Sequence, residues 1–160
     1  DILRKWHERP RTISKDNDSH HYIIASCCHP IPGDSVIGFE ASDGTVTVHK
    51  RTCKTANNLA AKFGDRIVIP KWDDHAKSQN LAFLVRLSLN GFDKVGMINE
   101  ITRYISLVMN VNIRSFSLST ENGVFDGHIE LYVHDMSDLD TLIRQLHKIE
   151  GIQNVVRTDL

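Results

Sequence analysis

The stretch FLVRLSLNGFDKVGMINEITRYI, residues 83–105, contains a strand pattern followed directly by a helix pattern. Up to residue 89 apolar side chains occupy every second position, which is the period of a strand with one buried face. From residue 97 onward another set of apolar side chains recurs at helical spacing: Ile98, Ile101, Ile105 and Val108. The sequence therefore predicts a strand, a loop at 91–96 and a helix at 97–109.

Two strands joined by a tight turn are predicted to follow, over 111–133. Asn122-Gly123 is a strong hairpin signal because both residues readily adopt positive φ. In the strand before this turn the apolar phase shifts between Ile113 and Phe116, and such a shift predicts a β-bulge.

A second helix and a last strand complete this half of the chain. Ser137 is predicted to cap the helix at its N-terminus and Gly151 to end it. Residues 152–158 have the composition of a strand. The order of elements over 81–160 is then βαββαβ, which predicts a ferredoxin-like fold.

The first half of the chain has the pattern of a small α/β domain at 20–72, placed between polar linkers at 1–19 and 73–80. Its predicted strands are 20–26, 35–41, 45–49 and 66–70. A helix is predicted over 52–63, with Gly64 as its C-cap.

The turns of this first domain have clear sequence signals. The segment PIPGD, residues 30–34, forces a turn because its prolines fix φ and its glycine can adopt positive φ. The segment SDG, residues 42–44, is a hairpin signature between the second and third strands. The fold class predicted for the whole chain is α+β, a small Cys/His domain followed by a ferredoxin-like one.

The composition limits the class of protein. The chain has 160 residues and a net charge of -1, without the strong basic excess of a duplex-DNA-binding protein. No apolar run approaches the roughly 20 residues that cross a bilayer, so no membrane contact and a cytoplasmic location are expected. Three cysteines without a secretory signal favour a reducing compartment over a disulfide framework. Because the chain begins with Asp1 rather than Met, we expect a fragment of a longer protein.

Four side chains in the first domain form a candidate metal-binding set: Cys27, Cys28, His49 and Cys53. Thiolates and imidazole are the ligands that tetrahedral zinc prefers. Adjacent cysteines are unusual as paired zinc ligands, however, and free cysteines are often plain core residues. A nucleophilic cysteine activated by His49 is a third interpretation, and the residues alone leave all three open.

A family resemblance rests on two motifs in this domain. The run SCCHPIPGD at 26–34, followed by VHKRTC at 48–53, resembles the conserved-cysteine region of RelA/SpoT proteins. That region is described as a zinc-finger or ribosome-inter-subunit domain, and an ACT domain follows it in the family. The βαββαβ pattern lies in the corresponding position, so the resemblance covers about residues 20–160.

The resemblance implies ligands, partners and a role. The family's metal ligands would correspond to Cys27, Cys28, His49 and Cys53, with zinc as the ion. Ribosomal RNA would be contacted by a basic cluster that is otherwise a solvated surface: Lys50, Arg51, Lys54, Lys62 and Arg66. In the full-length parent, a GTP pyrophosphokinase and (p)ppGpp hydrolase, the partners would be the ribosome, tRNA and the upstream catalytic domains. The fragment itself is expected to be no enzyme but a relay in the stringent response.

The loop before the first helix of the second domain resembles the ACT ligand signature. Asp93, Gly96, Met97 and Ile98 are the candidate effector-binding residues, for an amino acid with a branched chain held between two ACT domains of a homodimer. The alternative is that Gly96 belongs to an ordinary loop before a helix and that the apolar residues pack in the core. The rival function is a freestanding amino-acid-binding ACT protein with a metal-stabilised accessory domain.

Overall fold

A computed structural model describes residues 11–13, 22–72 and 81–160 of the chain. The chain divides into two compact units, Asp1–Leu81 and Ala82–Leu160. No helix in the described part is both long and apolar enough to cross a membrane.

The described part of the first unit contains two small sheets and one α-helix. Its elements are β1 Arg11–Ile13, β2 Tyr22–Ile24, β3 Val36–Glu40, β4 Val46–Lys50, α1 Lys54–Lys62, β5 Ile67–Val68 and β6 Pro70–Trp72. Four strands form a sheet in the order β2-β4-β3-β5, with β2 and β4 parallel, and β1 pairs with β6. Four β-branched side chains, a type that suits strands, pack together in the core: Val36, Val46, Val48 and Val68.

The two predicted turns of this unit are confirmed. In the first, the Ile31 N–H donates to Asp34 Oδ2 at 2.8 Å, and Gly33 has a φ of 102°. In the second, the Thr45 N–H donates to Asp43 Oδ1 at 2.9 Å, which stabilises the hairpin between β3 and β4.

The predicted helix at 52–63 begins later and ends differently. Cys53 has an extended backbone and occupies the N-cap position, so α1 begins at Lys54. The prediction of Gly64 as C-cap is wrong: Phe63 is the C-cap, and Gly64–Arg66 continue as a 3₁₀ turn. That turn takes the chain directly into β5, and its Arg66 N–H donates to the Phe63 carbonyl at 3.0 Å.

Three further segments of the first unit differ from the sequence pattern. The strand predicted at 66–70 is divided between β5, which pairs with β3, and β6, which pairs with β1. Arg11–Ile13 lies in the range predicted as a linker and forms β1. The strand predicted at 20–26 is observed as β2, whereas the first two residues of that range, the rest of 1–19 and the linker at 73–80 lie outside the described residues.

The second unit has the predicted βαββαβ order. Its elements are β7 Phe83–Phe92, α2 Met97–Arg103, β8 Ile113–Glu121, β9 Val124–Val133, α3 Met136–His147 and β10 Ile152–Thr158. The strands form one antiparallel sheet in the order β10-β7-β9-β8, and α3 packs against β9 and β10. Alternate side chains of β7 are buried, as the period of two predicted: Phe83, Val85, Leu87 and Leu89.

The predicted hairpin and bulge of this sheet are confirmed. Asn122 and Gly123 have φ values of 53° and 77°, and they connect β8 to β9. The pairing register shifts between Ile113 and Ser115, within the interval where the apolar phase changes.

The helix termini of the second unit correct two predictions. Asp135, not Ser137, is the N-cap of α3, because its Oδ1 accepts the Asp138 N–H at 2.8 Å. The helix ends at His147, and Gly151, with a φ of 98°, then turns the chain into β10.

The helix predicted at 97–109 changes geometry midway. After α2 the chain forms a π turn over Tyr104–Val108. Ile101 and Ile105 are fully buried, but Val108 is 57% exposed because the wider turn rotates it off the buried face. The predicted loop at 91–96 is also shorter, since β7 extends to Phe92.

Candidate metal centre and flanking surfaces

Three elements of the first unit bring the Cys/His set together. Because β2 runs parallel to β4, with Ile24 opposite Val48, the turn that follows β2 lies beside the end of β4. The Ala25 N–H donates to the Val48 carbonyl at 2.9 Å and fixes this position. The turn carries Cys27 and Cys28, β4 carries His49, and Cys53 precedes α1.

The donor atoms of these side chains converge on one point. His49 Nδ1 lies 3.2 Å from the sulfur of Cys27, 3.9 Å from that of Cys28 and 3.8 Å from that of Cys53. The Sγ atom of Cys27 is 3.6 Å from that of Cys53 and 4.0 Å from that of Cys28. All four donor atoms lie within 4.8 Å of one another, and the three cysteines are free thiols. The group can therefore hold a metal ion.

Packing orients the two most buried members of the group. Cys28 is 6% exposed and His49 is 4% exposed. The ring of Phe39 meets the imidazole edge-on, with centroids 5.7 Å apart. The Lys50 N–H donates to Cys28 Sγ at 3.3 Å. Contacts of this kind hold ligand side chains in place before an ion arrives.

Burial favours the neutral form of three of these four groups. Burial raises the pKa of Cys28 to about 12 and also raises the pKa of Cys27. Burial lowers the pKa of His49, which favours the neutral imidazole that binds metals. Burial by itself would raise the pKa of Cys53. Hydrogen bonds from the Ala56 N–H and neighbouring groups outweigh burial and lower this pKa. A buried thiol such as Cys28 is a poor nucleophile, whereas a bound cation would displace its proton.

The predicted RNA-contact residues lie in and around α1. Lys54 and Lys62 are the first and last residues of the helix, and both are exposed. Arg51 is also exposed, and its Nε donates to the Val36 carbonyl at 3.3 Å. Lys50 is half-buried at the end of β4.

An aromatic cleft beside this helix was not predicted. It has a volume of about 250 Å³, and its walls include Phe39, Leu59 and Phe63. Phe63, at the end of the helix, is 41% exposed. The guanidinium of Arg66 lies 5.4 Å from the centre of its ring. In the sequence, the one indication of this cleft is that Phe63 lies three positions before Arg66, where the predicted helix ends.

The candidate effector residues of the second unit are divided between surface and core. Asp93 is exposed, and its N–H donates to the Gly123 carbonyl at 2.8 Å. Ile98 is 50% exposed, while Met97 is only 3% exposed. Gly96 has a φ of 85°, and no atom lies within 4 Å of the position where a Cβ would be.

An ion pair next to this loop was also missed. Lys94, two residues before Gly96, pairs with Glu150, which lies just before β10. This pair lowers the pKa of the Glu150 carboxyl. The partners are 56 positions apart, so no local sequence pattern marks them.

Two family models match the chain. A RelA/SpoT RIS domain matches residues 12–73, and an ACT domain matches residues 79–157. The class of protein is therefore a RIS domain followed by an ACT domain, the second of which is the ferredoxin-like unit.

Curated relatives agree with this order of domains. A GTP pyrophosphokinase of Streptomyces antibioticus is 28% identical over 96% of this chain and 18% of its own length. The bifunctional (p)ppGpp synthase/hydrolase RelA of Mycobacterium tuberculosis is 30% identical over 84% of this chain and 18% of its own length. The chain belongs to the RelA/SpoT family and corresponds to its C-terminal regulatory region. It spans about a fifth of the length of these relatives.

A solved structure is similar to the second unit. The crystal structure of the ACT domain from a GTP pyrophosphokinase of Chlorobium tepidum is 35% identical and covers 48% of this chain and 99% of its own. The TM-score is 0.45.

Proposed function

We propose that this chain is the part of a longer RelA/SpoT protein that relays translational status to catalytic domains which make and hydrolyse (p)ppGpp. The observation that carries the proposal is that a RIS domain is followed by an ACT domain in this chain. The similar relatives are named as a GTP pyrophosphokinase and a (p)ppGpp synthase/hydrolase. Ribosomal RNA, tRNA and an amino acid are the signals it would receive in the stringent response, in the cytoplasm.

The ion at the Cys/His cluster is zinc in this proposal. Tetrahedral zinc bonds sulfur at about 2.3 Å and nitrogen at about 2.0–2.1 Å, which separates two sulfurs by about 3.8 Å and sulfur from nitrogen by about 3.6 Å. The sulfur pairs around Cys27 are 3.6 and 4.0 Å apart, and the sulfur–nitrogen distances range from 3.2 to 3.9 Å. These separations support one zinc ion at the cluster.

Such an ion would be structural rather than catalytic. Cys27, Cys28, His49 and Cys53 supply four protein ligands, and a catalytic zinc needs one position open to water or substrate. The ion would tie the turn after β2, the end of β4 and the start of α1 to one point. A unit of about 50 residues has a marginal core, so this tie would contribute much of its stability.

The exposed face of α1 and the adjoining aromatic cleft support contact with RNA. Lys54 and Lys62 place positive charge at both ends of the helix, where phosphates can approach. Phe63 is 41% exposed with Arg66 against its ring, and such a pair can stack on an unpaired base. The zinc-stabilised unit would thus present a charged and aromatic surface to ribosomal RNA.

Charge reversal on α1 tests this contact. Lys54→Glu/Lys62→Glu is expected to weaken binding to 23S ribosomal RNA fragments by at least about tenfold and to reduce the salt slope by about 2. Arg51 is left unchanged because it holds the Val36 carbonyl. The measurement is a fluorescence-anisotropy titration at several salt concentrations.

A control matched in charge separates this contact from general repulsion. Lys71→Glu/Lys148→Glu changes the net charge equally at two exposed positions outside α1, and its affinity should equal that of the wild type. Equal affinities for the wild type and the α1 variant would show that the helix does not contact RNA.

The ACT domain is proposed to bind a branched-chain amino acid beside Gly96. Open space at this glycine and the exposed Asp93 and Ile98 favour a ligand there, whereas the buried Met97 would only support the loop. Asp93 would pair with the ligand ammonium. The site would lie between two copies of the domain in a homodimer.

Calorimetry tests the effector site. Titration with valine, isoleucine and leucine is expected to give saturable heat, and Asp93→Asn should weaken the binding by about tenfold through loss of one ionic hydrogen bond. Asp140→Asn, at an exposed position on α3, is the control and should bind as the wild type does. An absence of heat with all three amino acids would contradict the proposed effector site.

A further inference from the structure

We propose that Cys27 and Cys53 form an oxidation site, at which a hydroperoxide joins the two sulfurs in a disulfide and the bound metal is released. The release of metal rests on the zinc site proposed above. The disulfide itself requires only the geometry of the thiols.

Exposure and distance select this pair among the three cysteines. Cys27 is exposed and Cys53 is half-buried, and their Sγ atoms lie 3.6 Å apart. Cys28 is 6% exposed and accepts the Lys50 N–H, so a peroxide reaches its sulfur poorly. A bridge between adjacent cysteines is disfavoured, because their Cα atoms are about 3.8 Å apart and disulfides usually span about 4.4–6.8 Å.

The chemistry proceeds in two steps. In the zinc-loaded cluster the ligand sulfurs are thiolates. The Cys27 thiolate attacks one oxygen of hydrogen peroxide, the O–O bond breaks, and the hydroxide that leaves takes up a proton to form water. The resulting sulfenic acid is attacked at sulfur by the Cys53 thiolate. The S–S bond forms as the S–O bond breaks, and the second hydroxide also leaves as water with a proton. Two thiolates thus supply the two electrons that reduce one peroxide.

The product has too few ligands for the ion. A disulfide sulfur is no longer a thiolate, so Cys28 and His49 would be the two remaining ligands where zinc requires four. The new covalent bond still ties the turn after β2 to the start of α1. Oxidation would therefore replace a link through the metal ion with a covalent disulfide link between the same two segments.

The test uses the zinc-loaded chain and hydrogen peroxide. Zinc release is followed with a chromophoric chelator, and one ion is expected per disulfide formed. Free thiols are then alkylated with iodoacetamide, the disulfide is reduced, and its thiols are labelled with N-ethylmaleimide. Trypsin places Cys27 and Cys28 in one peptide and Cys53 in another, because it cleaves after Lys50 and Arg51. Fragment ions should show maleimide on Cys27 and Cys53 and iodoacetamide on Cys28.

A variant that keeps four ligands provides the control. Cys53→His retains a zinc-binding set but removes the second thiol, so peroxide-driven zinc release should slow by more than about tenfold. Maleimide on Cys28, intermolecular disulfides, or sulfinic acids as the main product would each overturn the proposal. So would a zinc-loaded chain that keeps both its zinc and its three thiols. A chain that never binds zinc yet forms the Cys27–Cys53 disulfide would refute the zinc site and support the oxidation site.

Discussion

Removal of the metal is expected to unfold the first unit and to leave the second unit folded. Structural zinc contributes about 10–16 kcal/mol to zinc-finger peptides at neutral pH. That exceeds the stability of a small domain, about 5 kcal/mol. The first unit has a small hydrophobic core around four valines and a cluster that would bring Cys27, Cys28, His49 and Cys53 together through one ion. Without the ion, the turn after β2 and the start of α1 lose their common attachment.

Tryptophan fluorescence reports this unfolding separately. Both tryptophans of the sequence, Trp6 and Trp72, precede residue 81, so the signal comes from the first unit. The Trp72 Nε1–H donates to the Asp34 carbonyl at 3.0 Å and would become solvated on unfolding. A strong chelator should shift the emission to the red, while the circular dichroism of the second unit persists.

One ligand substitution and one neighbouring control sharpen the test. Cys28→Ser keeps the size of the side chain but replaces a soft ligand with a hydroxyl, so zinc content and the first thermal transition should both be lost. Ser26→Ala, at an exposed position in the same turn, should keep both. The prediction fails if elemental analysis finds no zinc in the wild-type chain and the chelator leaves the melting curve unchanged.

Gly91→Ala is expected to destabilise the second unit by about 3 kcal/mol or more. Gly91 lies in β7, where a Cβ would be 2.0 Å from the carbonyl oxygen of Gly151 and 2.9 Å from the Gln153 N–H nitrogen. Both neighbours are backbone atoms, so no side chain can rotate away. The methyl group would push β10 from β7 next to the register shift between Ile152 and Asn154.

Urea unfolding followed by far-UV circular dichroism measures this loss in the second transition. Gly123→Ala is the contrasting variant: its site is open, with no atom within 4 Å, but its φ of 77° strains an alanine. Such strain costs about 1–2 kcal/mol. If Gly91→Ala and the wild type have the same midpoint urea concentration, the prediction is wrong, and the close approach of β10 to β7 does not require a glycine at this position.

Local periodicity was sufficient to predict most of the second unit. The alternation in β7, the Asn122-Gly123 turn and the bulge after Ile113 depend on neighbours in sequence, and the structure confirms all three. The N-cap of α3 was predicted less well. Ser137 and Asp135 are both good caps by composition, and only the backbone path decides which one precedes the first turn.

In the first unit the sequence named residues that only tertiary pairing brings together. Motif resemblance marked the cysteines and His49, but their convergence depends on the parallel pairing of β2 with β4 across more than twenty residues. The exposure of Phe63 likewise depends on how α1 ends. No helical period contains that information.

The sequence by itself therefore determined the order of elements in the second unit, the family and the identity of the thiols and imidazole. Tertiary structure decided that Cys27 lies at the surface within 3.6 Å of Cys53, and that Gly91 lies against the backbone of Gly151. The physical reason is the separation along the chain over which each effect acts. Periodicity and turn propensity act over a few residues, whereas the approach of two sulfurs or two strands is set by packing between distant segments of the chain.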